Sequence, residues 1–109
     1  MNATELFKFV CTGGPYGDCT SHYRVEMKQP CTIAHLIEFI NSQDEWGKVY
    51  INPKDWLGME CLAKFEYNNH TQHKPLAIPS FFHNLPIKEL KAHGGWSNMD
   101  YHVTLEAEL

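Results

Sequence analysis

The sequence predicts an α+β fold in which a mostly antiparallel sheet carries one helix packed across a face, with elements in the order β-β-α-β-β-β-β. Three observations predict it. Polar and apolar residues alternate in several short segments, which is the pattern of half-buried strands. A single segment, after Pro30, has apolar residues at helical spacing. Turns rich in glycine and proline separate the segments, so neighbouring strands are expected to pair locally and antiparallel.

The first two strands are predicted to form a hairpin. The segment "TELFKFVC" places Phe7 and Phe9 on one face, and "SHYRVEMK" places Tyr23, Val25 and Met27 on one face. Between them, "TGGPYGDCTS" contains three glycines and a proline, which is the composition of a hairpin loop. This loop is longer than a tight turn needs.

One amphipathic helix is predicted over residues 32–43. Pro30 ends the second strand, and Thr32 has the side chain of an N-cap residue. The apolar stripe that follows consists of Ile33, Leu36, Ile37 and Ile40. We expect this stripe to pack across the sheet.

Four further strands are predicted after the helix. The third covers residues 48–52, and the fourth lies in "MECLAKFEYNN". Residues 70–86 contain three prolines and no periodicity, so we expect a loop that lies on the domain. The segments "IKELKAH" and "DYHVTLEAEL" then form a final hairpin whose second arm turns four residues inward, Tyr101, Val103, Leu105 and Ala107.

Length and composition indicate one globular domain over residues 1–109. Apolar residues make up 43% of the chain and charged residues 20%, both in the globular range. The net charge is −4, and the scattered lysines and single arginine form no basic cluster. Because sequence-independent binding to DNA or RNA depends on clustered Lys and Arg, the composition argues against direct nucleic-acid binding.

The sequence shows no membrane or secretion signal. It has no run of about 18 apolar residues, and the early Glu5 and the alternating pattern are unlike a signal peptide. We therefore expect a cytoplasmic protein without membrane contact, in which the four cysteines are reduced thiols without a disulfide.

Metal and catalytic motifs are weak. Cys19 and His22 are three residues apart, as are His70 and His73, but the two pairs fall in different predicted elements. Cys19 beside His22 is the best candidate for a nucleophile, against the reading that it is an ordinary loop residue. The segment "GGPYGD" joins two strands and so lacks the helix N-terminus of a phosphate loop, although it could form an amide nest. We expect the protein to bind no metal and no cofactor and to have no enzymatic activity.

The tryptophans are more informative, because each lies at a predicted turn outside an alternating core pattern. They are Trp46 in "DEWGK", Trp56 in "PKDWLG" and Trp96 in "GGWSN". In one interpretation each ring covers an end of the core and its indole N–H meets a carbonyl. In the other, the rings belong to a recognition surface, since tryptophan, tyrosine and arginine dominate interface hot spots.

The candidate binding residues follow from the second interpretation. The loop "GGWSN" and the strand after it contribute Trp96, Ser97, Asn98, Asp100 and Tyr101. Trp46 belongs to the same surface as a second exposed tryptophan, and Tyr16, Tyr101 and Arg24 join it if the two glycine loops lie at one end of the sheet. The two glycines of the loop are themselves expected to supply positive φ angles at a tight corner.

Part of the sequence resembles a group of small phage, prophage and gut-bacterial proteins whose chains end in a GGWS-x-x-D-Y strand. The similarity rests on Glu45 to Gly47, on Gly94 to Ser97, and on Asp100 with Tyr101. That group has a basic residue where this chain has Asn98, which argues against a role in gripping an anion. The resemblance implies a mobile-element context, in which small proteins often inhibit host defence by binding, and it implies no reaction.

Two hypotheses result. The first is a non-enzymatic binding protein of phage type that inhibits a bacterial defence component, as anti-CRISPR proteins do, through protein–protein contacts in the host cytoplasm. The alternative is a sponge for a nucleotide or other small ligand, held by aromatic rings between the chains of a homo-oligomer. A third reading is a structural or regulatory module whose tryptophans only close the core.

Overall fold

A six-stranded sheet forms the centre of the computed structural model, which describes residues 3–11, 23–43, 46–52, 63–68, 75–95 and 98–106. The strands are β1 (Phe7–Cys11), β2 (Tyr23–Met27), β3 (Trp46–Asn52), β4 (Ala63–Asn68), β5 (Ile87–Gly94) and β6 (Asn98–Leu105). The helices are α1 (Ala3–Leu6) and α2 (Ile33–Asn41), and a 3₁₀ turn spans Ser80–Phe82. The predicted α+β class is confirmed.

The strand order is β1-β2-β5-β6-β3-β4. Four of the five pairings are antiparallel, and β3 pairs with β6 in parallel. Pairing of chain neighbours is confirmed for three hairpins, but it was wrong as a rule for the whole sheet, because β2 pairs with β5 and β3 with β6. Alternation in a sequence predicts which face of a strand is buried, and it carries no information about which hairpin edges meet.

The start of the chain also differs from the prediction, since residues 3–6 form a short helix instead of the beginning of β1. Leu6 and Phe7 are consecutive and both buried. Neighbouring residues of a strand point to opposite faces, so a helical turn before Phe7 lets both side chains reach the interior.

Helix α2 lies within the predicted range. The backbone N–H of Thr32 donates to Nδ1 of His35 at 3.0 Å, which satisfies an amide before the first turn. The Phe39 ring lies 4.8 Å from the ring of Phe7 and 5.4 Å from that of Phe9, so the helix packs on the β1 side of the sheet. No described helix has both the length and the apolar character needed to cross a bilayer.

The segment before β5 lies on the domain, as predicted, in its described part, residues 75–86. Leu76, Ile78 and Phe82 are buried. The side-chain amide of Asn41, at the end of α2, donates to the carbonyl oxygen of Leu76 at 3.2 Å and accepts from its N–H at 2.6 Å. This pair of hydrogen bonds imitates a strand pairing and anchors an otherwise irregular segment to the helix.

The core is deepest under β3 and β6, the strands that pair in parallel. Every second residue of these strands is fully buried, and the inner set comprises Val49, Ile51, Met99, Tyr101, Val103 and Leu105. The inward orientation predicted for Tyr101, Val103 and Leu105 is confirmed, while Ala107 lies outside the described residues. The residues between them point to the opposite side.

Candidate functional site

The side of β3 and β6 opposite the core is called here the outer face. It is formed by the even-numbered residues of both strands, Trp46 to Asn52 and Asn98 to Thr104, whose side chains are exposed or half-buried. The parallel register aligns them in rows, with Trp46 beside Asn98, Lys48 beside Asp100 and Tyr50 beside His102. Register partners on β4, β5 and β2 continue these rows across the sheet.

Four of the predicted binding residues lie on this outer face. Trp46 has 42% of its surface exposed and is the register partner of Asn98. Asp100 is two residues further along β6. Arg24 lies in the row of Asp100, separated from it by His93 of β5. The structure therefore places on one side of the sheet four residues that the sequence assigned to one candidate site, with Trp46, Asn98 and Asp100 on adjacent strands and Arg24 two strands away from β6.

Of the other four predicted binding residues, one is buried and three lie outside the described residues. Tyr101 is fully buried on the inner side of β6, and its ring centre lies 6.3 Å from that of Tyr67. A side chain enclosed in this way offers no surface to a partner, so the candidate surface excludes it. Tyr16, Trp96 and Ser97 lie outside the described residues.

The outer face carries charged side chains of both signs. Lys48 is 3.8 Å from Glu66, and Arg24 is 3.9 Å from Glu26. These pairs are exposed, so each contributes little to stability. The carboxylate of Asp100 accepts a hydrogen bond of 3.2 Å from the backbone N–H of Lys48, which fixes the aspartate beside the Trp46 row. A partner that also carries interspersed charges of both signs, as a protein surface does, complements this pattern better than a uniformly charged polymer.

Close pairing of β3 with β6 next to Trp46 and Asn98 requires a glycine at the following position of β3. Gly47 is the register partner of Met99, and a Cβ built on Gly47 would lie only 1.8 Å from the Met99 carbonyl oxygen. Gly94 of β5 faces Met99 from the other side, where a Cβ would lie 2.2 Å from the carbonyl oxygen of Asn98. Only glycine allows these backbones to approach so closely.

This contact changes the explanation of Gly94. A positive φ angle was expected there, but Gly94 is the last residue of β5 and its φ lies outside the left-handed range. The Gly95 N–H donates to the Asn98 carbonyl oxygen at 3.0 Å, so hydrogen bonding between the two arms of the hairpin extends one residue beyond β5. The reason for glycine at position 94 is close packing against β6.

The sequence pattern did not reveal a pair of stacked rings that lies on the outer face. The rings of Tyr50 and His102 have centres 4.7 Å apart and planes that differ by 7°. Their register partners are Lys64 on β4 and Lys91 on β5. The alternation in "KVYIN" and "DYHVT" predicted which way each ring points, but only the parallel pairing of β3 with β6 makes them neighbours.

One described cysteine agrees with the prediction of reduced thiols, and another contradicts it. Cys31 is a buried free thiol, and burial raises its pKa from 9.0 to about 11. Cys11 is disulfide-bonded, so the expectation that every thiol is reduced was wrong for this residue. Disulfide formation depends on the distance between Cα atoms in the fold, which spacing along a sequence does not determine.

Other chemistry is sparse in the described residues. No three His, Cys, Asp or Glu side chains among them converge in a way that could hold a metal ion. A groove of about 570 Å³ lies at α1, β1 and β2, lined by Glu5, Leu6, Phe7, Lys8, Glu26, Met27 and Lys28. Its lining includes none of the predicted binding residues.

Comparison of the chain with protein-family models, with curated proteins and with solved structures finds no match in any of the three. The case for a function therefore depends on the outer face.

Proposed function

We propose that this chain is a non-enzymatic binding protein that recognises a protein partner through the Trp46 end of its outer face. One observation carries the proposal. Trp46 is 42% exposed at the start of β3, a strand paired on both sides, with Asn98 beside it and Lys48 and Asp100 in the next row.

The arrangement has the properties of an interface hot spot. An exposed indole supplies a large apolar area with few rotatable bonds, and the amide and charged groups around it can pair with polar groups of a partner. Because Trp46 stands on a strand held between β6 and β4, its backbone is ordered before a partner binds. A pre-ordered anchor reduces the entropy lost on association.

The partner class comes from the sequence resemblance. Small phage-type proteins that end in a GGWS-x-x-D-Y strand suggest a bacterial host cytoplasm and a component of host defence, such as a CRISPR effector, as the target. The absence of a catalytic motif in the sequence fits inhibition by occupancy. A homo-oligomeric ligand sponge remains the competing function, and the same experiment separates the two.

The test is phage plating on bacterial strains that each carry one defence system, with and without expression of this chain. We expect the wild-type chain to restore plating against at least one system, and the purified component of that system to bind it directly. Trp46→Ala should abolish both effects while the melting temperature stays close to wild type, because much of the side chain is already exposed.

Phe81→Ala is the matched control, because Phe81 is 69% exposed and lies in the 3₁₀ turn, outside the sheet. We expect this variant to keep full plating and binding. Equal loss in the two variants, or full activity of a folded Trp46→Ala protein, would contradict the proposed surface. Restoration of plating without any direct protein contact, together with depletion of a small signalling molecule, would favour the sponge.

A further inference from the structure

The Tyr50–His102 pair forms a second feature on the outer face, separate from the Trp46 end. Tyr50 lies four residues from Trp46 on β3, which is about 13 Å along a strand. A ligand at Tyr50 therefore need not touch Trp46, and its binding is independent of protein recognition at the Trp46 end.

The two rings stack on each other from neighbouring strands. They belong to register partners on adjacent strands, and neighbouring strands are about 4.8 Å apart. Parallel rings whose centres are separated by 4.7 Å must then face each other across the strand spacing. Each ring has one face turned to the other ring, and Tyr50 has its second face turned towards β4.

A lysine lies on the β4 side of Tyr50. Lys64 of β4 is the register partner of Tyr50 and is exposed. Within the described residues it forms no ion pair, whereas Lys91, on the His102 side, is 3.4 Å from Glu89. The Tyr50 side of the stack therefore offers both a ring face and an ammonium group that has no ion pair among the described residues.

Tyr50 lies one strand away from an edge of the described sheet. β4 is the last strand of the sheet in the described residues, since it pairs only with β3. A planar group added to the stack would lie above β4, and its substituents could extend past the edge without meeting another strand of the described sheet. The flexible stem of Lys64 allows its ammonium group to follow an anion there.

We propose that the Tyr50 side of this stack binds a nucleoside monophosphate, with the base as a third layer on the Tyr50 ring and the phosphate on Lys64. A base supplies the planar surface that stacks on an aromatic ring, largely independent of its identity. The phosphate supplies the charge that a lysine ammonium attracts. His102 stacks on the opposite face of the Tyr50 ring.

The experiment is calorimetric titration of the wild-type chain at low ionic strength with AMP, adenosine and ribose 5-phosphate. We expect AMP to bind most tightly, because it alone offers both the base and the phosphate. UMP should bind with an affinity similar to that of AMP, since stacking is tolerant of base identity. No binding of AMP at millimolar concentration, or equal binding of ribose 5-phosphate, would overturn the proposal.

Variants locate the site. Tyr50→Leu should weaken AMP binding by about tenfold or more, as loss of a base–aromatic stack does, while Tyr50→Phe should retain it. Lys64→Gln should weaken AMP and ribose 5-phosphate but leave adenosine unchanged. Lys91→Gln is the matched control and should leave AMP binding unchanged; if it weakens binding as much as Lys64→Gln, the site lies elsewhere.

The protein-recognition surface at Trp46 and the nucleotide site at Tyr50 can be tested independently of each other. Trp46→Ala should leave AMP binding intact, and Tyr50→Leu should leave defence inhibition intact. Loss of AMP binding in a folded Trp46→Ala protein would overturn the site at Tyr50 without bearing on protein recognition.

Discussion

The hydroxyl group of Tyr67 on β4 donates a hydrogen bond of 2.8 Å to the backbone carbonyl oxygen of Met99 on β6. Gly47 of β3 is the register partner of both residues and lies between them. The Tyr67 side chain can cross the intervening strand because Gly47 has no side chain to obstruct it. Three strands are thereby connected at one level of the sheet.

Removing that hydroxyl group should destabilise the fold. Tyr67→Phe leaves the ring in place but deprives a buried carbonyl oxygen of a partner, which costs about 1 to 3 kcal/mol in the free energy of unfolding. Urea denaturation measures the difference. Tyr50→Phe is the control, because the Tyr50 ring lies on the outer face, and a similar loss there would refute the explanation.

Filling the gap at Gly47 should be at least as damaging. In Gly47→Ala the new methyl group would meet the Met99 carbonyl oxygen at 1.8 Å and the Tyr67 hydroxyl at 2.9 Å. Because the first of these atoms belongs to the backbone, relief requires β3 and β6 to separate, at a cost of about 3 kcal/mol. Asn52→Ala, on the outer face of the same strand, should change the free energy of unfolding by only about 0.5 kcal/mol. A Gly47→Ala protein as stable as wild type would show that the two strands are further apart than described.

Helix α2 provides a graded test of packing. Leu36 is fully buried, whereas Ile37 is only half-buried although the sequence pattern places both on the apolar stripe. Leu36→Ala should lower the free energy of unfolding by about 2 to 5 kcal/mol, and Ile37→Ala by clearly less. Denaturant midpoints give both values. Equal losses would mean that the helix is rotated about its axis relative to the orientation seen here.

The buried thiol of Cys31 predicts a pH dependence. Burial raises its pKa from 9.0 to about 11, so the unfolded chain loses this proton at lower pH than the folded chain does. The contribution of the neutral thiol is therefore fully present below pH 9 and is lost as the pH rises towards 11. Because lysines and tyrosines also titrate in this window, the measurement is the difference between the stability curves of wild type and Cys31→Ala. A constant difference across the window would contradict the assignment.

Much of the local structure could be predicted from the sequence because it depends on nearest neighbours. Alternation placed Val25 and Tyr101 on the buried side of their strands, and Thr32 marked the start of α2. Trp46 and Asn98 were placed in a candidate site because they fell at predicted turns. In the structure they are instead the first residues of β3 and β6 and are register partners.

The remaining features depend on contacts between distant segments. The stack of Tyr50 on His102 exists only through the parallel pairing of β3 with β6, which no turn sequence specifies. The glycine requirement at position 94 arises from the backbone of β6, and the disulfide of Cys11 from proximity in the fold. Leu6 adopted a helical turn because tertiary burial of two consecutive residues outweighed their strand propensity.

The position of β6 has a consequence for how the protein is made. This strand is the last of the six to leave the ribosome, yet it lies inside the sheet, between β5 and β3. Until it is inserted, the hairpins β1–β2 and β3–β4 share no strand pairing, and Lys48 must find an acceptor on Asp100 that is 52 positions away in the chain. Nascent chains therefore carry two hairpins with uncovered apolar sides, which is the state that chaperones bind and that aggregates most readily. Synthesis rate and chaperone supply, and not the final stability alone, should then affect the yield of folded protein in a cell.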